Sequence, residues 1–219
     1  MKKRVLKNLY LLKWLGYEYI DPISFNSTEN EISLPNDLTK LRELVLQCHL
    51  CSLSKTRKNV VFGEGDKNAE LMFVGEGPGA TEDETGRPFV GRAGQLLTKM
   101  IENVLEISRE SVYIANIVKC RPPNNRVPTE EEAQTCIPYL KKQIELVNPR
   151  ILVALGSTSY RYLTGDTTPI SKIRGEIVKY QNRLLIPTYH PSFLLRNPSK
   201  KKEVYMDLLK IKRVLWQKL

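Results

Sequence analysis

Residues 71–92 constrain the fold of this 219-residue chain more than any other stretch. They start with four apolar residues, Leu-Met-Phe-Val, and then change to the loop sequence Gly75-Glu76-Gly77-Pro78-Gly79. Such an apolar run predicts a buried strand, and the glycine-rich segment predicts the loop that ends it. Open α/β sheets bind ligands at the carboxyl ends of their strands, where such a loop leaves backbone N–H groups accessible. Residues 75–79 are therefore the first candidate binding loop.

Further strand patterns follow along the chain and alternate with helical patterns. Strands are predicted at residues 112–118 and 150–155, and a hairpin at residues 175–187. One of the helices between them opens with a capping box formed by Thr129 and Glu132. This alternation predicts an α/β fold, a three-layer αβα sandwich with a central, mostly parallel, four-stranded sheet. Three loops would then converge: residues 75–79, 116–125 and 190–192.

The chain is long enough for one domain with a sizeable core, preceded by an appendage. Residues 1–15 have the pattern of a basic amphipathic helix, which could dock on the domain or act as a nucleic-acid arm. Residues 17–35 are polar and weakly patterned, as in a linker. We therefore divide the chain into an N-terminal helix and linker, residues 1–35, and a domain, residues 36–219.

The charge of the chain indicates the class of partner. A net charge of +10 suits a polyanion, and favours nucleic acid over a membrane, although a generally basic surface is the plain alternative. No segment approaches the roughly 18 apolar residues of a membrane span, and the basic N-terminus lacks the small-residue cleavage site of a signal peptide. We expect a cytoplasmic protein without a membrane partner.

Four cysteines form a candidate metal site. Cys48 and Cys51 have the C-x2-C spacing that lets two thiolates face one centre, and Cys120 and Cys136 would complete a set of four. In a cytoplasmic protein such cysteines are metal ligands more often than disulfides. Four thiolates suit tetrahedral zinc or a 4Fe–4S cluster, and the spacing does not choose between them. Four unrelated buried cysteines are the other interpretation.

Several motifs, taken together and in order, resemble the family 4, iron–sulfur, uracil-DNA glycosylases. The resemblance covers about residues 37–199 and implies the glycosylase fold, a 4Fe–4S cluster on the four cysteines rather than zinc, and a monomer that acts on uracil-containing DNA. A variant branch carries a catalytic histidine in an inserted loop, but this chain has none between Gly79 and Gly94. The matching segments are residues 75–79, 86–94, 116–123, 190–192 and 194–196.

The resemblance implies roles for five residues around a flipped uracil. An asparagine amide can pair with both O4 and N3–H of uracil, and Asn116 holds the family position for it. Phe89 would stack on the base, and Glu82 would crowd C5 and so exclude thymine. Gly77 and Ser192 complete the predicted substrate contacts. The plain alternatives are a strand-end cap for Asn116, a core position for Phe89 and a solvated acid for Glu82.

The reaction itself is cleavage of an N-glycosidic bond, in which uracil leaves with negative charge on O2. His190 is the predicted side-chain donor to O2, and the Gly77 backbone N–H is the main-chain donor. Other branches of the superfamily have an aspartate or asparagine at the position of Gly77, and glycine cannot orient water as they do. The resemblance points instead to Glu76 or Asn125 as the polar partner of water or sugar.

The enzyme must also extrude the base from the duplex, which costs a few kcal/mol. The resemblance implies that the loop after His190 enters the DNA, with Leu194 as the wedge and Phe193 and Leu195 in support. Arg196 and the lysines after it would bind phosphates. Core packing is the plain alternative for each of the three apolar residues.

Two other functions are weighed against this one. The first is a non-catalytic DNA-binding module that retains the fold and the metal site. The second is a phosphate- or nucleotide-binding enzyme, but residues 75–79 lack both the phosphate-loop motif and the dinucleotide fingerprint. The sequence leaves open whether single strands, U·G pairs or U·A pairs are preferred.

Overall fold

The strands of the computed structural model, which describes residues 34–217, form one six-stranded sheet. Their bounds are β1 Glu64–Gly65, β2 Leu71–Gly75, β3 Tyr113–Asn116, β4 Ile151–Leu155, β5 Val178–Tyr180 and β6 Arg183–Thr188. The order of the strands across the sheet is β1-β3-β2-β4-β6-β5.

Helices connect these strands. The longest is α4, Glu130–Val147, which begins directly after the capping residue Thr129. The next longest is α8, Lys201–Trp216, whose apolar stripe packs inward. A π-helical turn, Ile101–Leu105, continues α3, Arg92–Met100. The bounds are α1 Leu38–Leu46, α2 Ala80–Thr85, α3 Arg92–Met100, α4 Glu130–Val147, α5 Ser157–Thr164, α6 Ile170–Ile173, α7 Pro191–Arg196 and α8 Lys201–Trp216.

The centre of the sheet is parallel. Strand β2 pairs in parallel with both β3 and β4, and β4 pairs in parallel with β6. Every residue of β2, β3 and β4 is buried, as expected for strands that helices cover on both faces. The predicted α/β fold with a four-stranded parallel centre is therefore confirmed.

The structure corrects the strand count of that prediction, because short antiparallel strands border the four central ones. At one edge β5 pairs with β6 as the predicted hairpin. At the other edge β1 pairs with β3 through Glu64 and Gly65 alone. A two-residue strand in a polar loop has no periodicity, so the sequence could not reveal β1.

Two apolar cores lie on opposite faces of the sheet and define the three layers. Alternate residues of β2 enter different cores, because successive side chains of a strand point to opposite faces. Met72 and Val74 join the core formed with α1, α4 and α5. Leu71 and Phe73 join the core formed with α3 and α8.

The start of α4 ties three parts of the chain together through the buried carboxylate of Glu132. Its oxygens accept the Thr129 N–H at 2.9 Å, the Ser52 hydroxyl at 2.8 Å and two Arg126 N–H groups at 2.7 and 2.8 Å. The predicted capping box is thus confirmed, since Thr129 also accepts the Glu132 N–H. The same carboxylate holds the loop that contains Cys51.

The predicted N-terminal helix, residues 1–15, and most of the predicted linker lie outside the described residues. Within residues 34–217, no helix has the length and apolarity needed to cross a membrane.

We expect Glu132→Gln to destabilise the protein in a pH-dependent way. The Arg126 hydrogen bonds, together with those of Thr129 and Ser52, lower the pKa of Glu132 to about 2 from its usual 4.5. A lowered carboxyl pKa contributes stability that is complete above about pH 4.5 and is lost as the pH falls through the folded pKa. Because Arg126 is partly exposed, we expect a loss of about 2 kcal/mol at pH 7.

Urea unfolding of the wild type and of Glu132→Gln between pH 7 and pH 3 measures the difference in their free energies of unfolding. This difference should shrink steadily below about pH 4.5. A difference that stays the same across this range would contradict the assignment.

Candidate functional site

A cavity of about 730 Å³ opens at the carboxyl ends of the parallel strands. The loops after β2, β3, β4 and β6 all contribute to its wall, as the convergence predicted from the sequence requires. Ten of the residues to which the sequence assigned a role line it: Glu76, Gly77, Glu82, Phe89, Asn116, Asn125, His190, Ser192, Phe193 and Arg196.

Glycines let the backbone of the first loop come close to the cavity wall. A Cβ atom at Gly75 would collide with Asn116 Oδ1 and with the Phe89 ring. A Cβ atom at Gly77 would lie 2.8 Å from Val118 Cγ2, closer than real contacts allow. The glycine-rich composition of the loop is therefore required by packing.

Asn116 ends strand β3 and carries an unsatisfied polar atom into the cavity wall. The residue is 1% exposed, and its side-chain Oδ1 has no hydrogen-bond partner among the described residues. A buried acceptor without a donor costs roughly 1–3 kcal/mol, which a ligand N–H can recover. The amide of Asn116 is thus prepared to bind a ligand that offers a donor.

Phe89 is held in a strained backbone conformation beside this amide. Its φ angle is +51°, in the left-handed region that disfavours a bulky residue. Arg109 donates to the Pro88 carbonyl at 2.8 Å and so fixes the loop from outside. The Phe89 ring lies 5.6 Å from the His190 ring, measured between centroids. Phe89 is buried, yet it forms part of the cavity wall, so its core and site roles coincide.

Glu82 fixes the same loop from inside. Its Oε1 accepts the Val90 N–H at 2.9 Å and the Gly91 N–H at 2.8 Å. The side chain also lines the cavity. The carboxylate is therefore a brace for the Phe89 loop, a function that its position beside Asp83 and Glu84 in the sequence did not indicate.

His190 is oriented by the first turn of α7. Its Nδ1 accepts the Ser192 backbone N–H at 3.1 Å and lies 2.8 Å from the Ser192 hydroxyl. Burial, with a contribution from Arg196, lowers the pKa of His190 to about 4. The imidazole is therefore neutral at pH 7. Since Nδ1 accepts a hydrogen bond, the proton of the neutral ring resides on Nε2. This leaves an N–H donor on the other side of the ring.

The two candidate partners of water differ in their surroundings. Asn125 Oδ1 accepts the Arg121 Nε–H at 2.8 Å, and the residue has a left-handed φ of +54°. Glu76 is half-buried, and its main-chain carbonyl accepts the Val118 N–H at 3.2 Å. Both residues line the cavity, so the structure brings them together without choosing between them.

The structure corrects the assignment of Leu194. Its side chain is 1% exposed and packs in the core on the α8 side of the sheet, so it is not available to enter DNA. The helical period of α7 explains this, because consecutive residues of a short helix point to different sides. Leu195 is 37% exposed, Phe193 lines the cavity, and Arg196 is exposed at its rim.

Sequence reasoning missed one wall of the cavity. Gly156, Ser157 and Thr158 follow β4 and line the cavity, together with Ile170 and Ser171. Gly156 has a φ of +91°, which favours glycine. A glycine directly after a buried strand was the same signal that identified residues 75–79, and it could have identified this loop.

The four cysteines line one small cavity, together with Lys119 and with Thr135 and Tyr139 of α4. Three of their sulfurs have a nearby donor: Arg57 Nη1 at 3.2 Å from Cys120, the Lys119 backbone N–H at 3.3 Å from Cys136, and the Tyr139 hydroxyl at 3.7 Å from Cys48. Among the described residues, no set of three or more His, Cys, Asp or Glu is arranged to hold a single metal ion.

A parallel sheet with this cavity at its carboxyl edge is the architecture of the uracil-DNA glycosylase superfamily, whose family model matches residues 62–210. Type-4 uracil-DNA glycosylases are similar to most of the chain. The protein of Thermotoga maritima is 52% identical over 72% of this chain and 82% of its own length. The protein of Sulfurisphaera tokodaii is 46% identical over 82% of this chain and 85% of its own length. The protein of Saccharolobus solfataricus is also 46% identical, over 84% of this chain and 88% of its own length. The chain belongs to the Type-4 family of this superfamily.

Proposed function

We propose that this protein flips uracil out of DNA and hydrolyses its N-glycosidic bond, leaving free uracil and an abasic site. The observation that carries this proposal is the buried amide of Asn116, whose oxygen has no partner among the described residues and borders the cavity. Family membership supports the same activity, since the relatives are named uracil-DNA glycosylases.

The recognition of uracil follows from the hydrogen-bonding pattern of the amide. Asn116 Oδ1 would accept N3–H of uracil, and its NH₂ group would donate to O4. Cytosine presents the opposite pattern at these positions and would leave buried groups unpaired, which a polar site rejects strongly. The ring of Phe89 would stack on the base, and Glu82 would occupy the space that a thymine methyl group needs.

The departure of uracil requires donors for the charge that develops on O2. The Nε2–H of neutral His190 would be one donor, and the Gly77 backbone N–H the other. A neutral donor suffices, because its hydrogen bond stabilises the developing anion without transfer of the proton. Ser192 would contribute by holding Nδ1, through the contacts already present. Glu76 or Asn125 would position the attacking water or stabilise the sugar.

The contact with DNA would use the exposed part of α7. Leu195 takes the place of Leu194 as the proposed wedge, because it is the exposed leucine of this helix. Arg196 and the exposed Lys201 and Lys202 would bind phosphates, in keeping with the net charge of +10. We further propose that the protein acts as a cytoplasmic monomer.

We propose that Cys48, Cys51, Cys120 and Cys136 hold a 4Fe–4S cluster. The fit rests on the donor set, which is four thiols around one cavity with Arg57 and Lys119 beside them. Zinc would draw the sulfurs to within roughly 4 Å of one another, whereas in a four-iron cluster each thiolate binds a different iron. Such a cluster would brace the fold, and base release needs no redox chemistry.

A non-catalytic DNA-binding module with the same fold is the alternative. It would have no need for a desolvated neutral histidine facing an unsatisfied amide across one cavity. The lowered pKa of His190 and the strain at Phe89 are costs that a merely structural loop would not retain.

We expect the purified protein to release free uracil from uracil-containing oligonucleotides, and His190→Ala to lower the rate of release. The loss of one donor to a developing anion lowers the catalytic rate by roughly hundred- to thousandfold. Chromatography of the released base from single-stranded, U·G and U·A substrates measures both proteins.

The matched control is His49→Ala, since His49 is the only other histidine of the sequence and is exposed. Its rate should equal that of the wild type. Failure of the folded wild-type protein to release uracil from any of the three substrates would favour the binding module.

We expect Leu195→Ala to lower uracil release from duplex DNA by about tenfold, while release from single-stranded DNA changes little. The reason is that an apolar wedge compensates for the unstacking of a duplex base, which a single strand does not require. Leu44→Ala is the matched control, because Leu44 is exposed to a similar degree, 41%, but lies on α1. Equal losses on both substrates would remove Leu195 from the role of wedge.

The cluster assignment predicts a brown protein with broad visible absorption and about four irons per chain. Metal analysis of the protein as purified provides the measurement. A colourless preparation with stoichiometric zinc would overturn the iron assignment and leave the thiolate site intact.

A further inference from the structure

Lys119 is the residue of this domain whose burial is hardest to explain by packing. It is 1% exposed, although lysine is almost never fully buried. Its ammonium donates to the main-chain carbonyl of Asn116 at 2.8 Å and to Gln143 Oε1 at 2.5 Å. Among the described residues, no carboxylate forms a salt bridge with it, so both of its acceptors are neutral.

Lys119 lies beside the cysteine site, because it lines the same small cavity as the four cysteines. Lys119 precedes Cys120 in the chain, and its backbone N–H donates to Cys136 Sγ at 3.3 Å. Arg57 contacts Cys120 from another side. A metal–thiolate centre with four cysteines carries a net negative charge, and two cations beside it reduce the cost of burying that charge.

Gln143, the side-chain acceptor of this cation, is itself anchored. It is fully buried on α4, and its Nε2 donates to the Phe62 carbonyl at 3.0 Å and to the Tyr113 hydroxyl at 3.1 Å. Each buried side chain of this network thus forms at least one hydrogen bond. Such a buried network restricts the geometry of its members, which makes it suitable for transmitting position.

We propose that Lys119 is a positioning residue that couples the cysteine site to the reading of uracil. It fixes the carbonyl of Asn116, and therefore the end of β3 from which the Asn116 amide projects, relative to the ligands Cys120 and Cys136. The side chain touches neither the base nor the reacting bond, so its effect on the reaction acts through Asn116. This inference rests on the proposed role of Asn116 as the uracil-reading residue.

A double-mutant cycle tests this coupling, with Lys119→Met and Asn116→Ala made singly and together in the metal-loaded protein. Methionine retains an unbranched chain of similar length and removes the charge and the donors. We expect Lys119→Met to lower kcat/KM for uracil release by about tenfold in the wild-type background, the size expected for a lost charged hydrogen bond. In the Asn116→Ala background the same change should have less than about a twofold effect. Equal effects in both backgrounds would show a general structural role and overturn the proposal.

A second measurement examines the effect of Lys119 on the cysteine site. If the cluster contains iron, loss of the Lys119 cation should move its midpoint potential to a more negative value, because the reduced cluster carries more negative charge. The matched control is Lys179→Met, an exposed lysine on the edge strand β5, which should leave the potential unchanged. An unchanged potential in Lys119→Met would separate Lys119 from the cysteine site and overturn that half of the proposal.

Two features of the design distinguish the possible failures. The wild-type protein must release uracil before the cycle is interpreted, so failure of the proposed function is seen first. If Lys119→Met does not fold, Lys119→Gln replaces it, because the glutamine amide removes the charge and keeps a donor for the buried acceptors. The cycle is then repeated with Lys119→Gln, and equal losses in both backgrounds again overturn the proposal.

Discussion

Parallel pairing of four strands is the constraint on which the rest of this structure depends. Because β3, β2, β4 and β6 run in the same direction, the loops that follow them all open at one edge of the sheet. Residues distant in the chain, such as Gly77 and His190, therefore line one cavity. The close approach of backbone at Gly75 brings the Phe89 ring and the Asn116 amide together within it.

The cavity is supported by hydrogen bonds of partly buried polar groups. Glu82 and Arg109 hold the strained Phe89 loop from two sides, and Ser192 orients His190. Lys119 contacts both the Asn116 carbonyl and, through its backbone N–H, the sulfur of Cys136. A pocket that must distinguish bases by hydrogen bonds needs such rigidity, because a displaced amide would lose its discrimination.

Much of the candidate site could be predicted, because several of its residues stand in recognisable motifs. Asn116, Phe89 and His190 come from motifs whose order along the chain is specific, and all three line the cavity. Leu194 was assigned wrongly, since an apolar residue in a one- to two-turn helix can face either core or solvent. The carboxylate of Glu82 binds backbone N–H groups that no side-chain pattern encodes.

The sequence by itself determined the α/β class, the parallel centre of the sheet, the capping box of α4 and the candidate uracil pocket. These follow from local periodicity and from motifs in which residue type and spacing are sufficient. Only the tertiary structure decided which leucine of α7 is exposed, that the loop after β4 lines the cavity, and that the Lys119 ammonium binds the Asn116 carbonyl beside the cysteines. Those features arise from packing between segments far apart in the chain, where burial and hydrogen-bond partners are set by the whole fold.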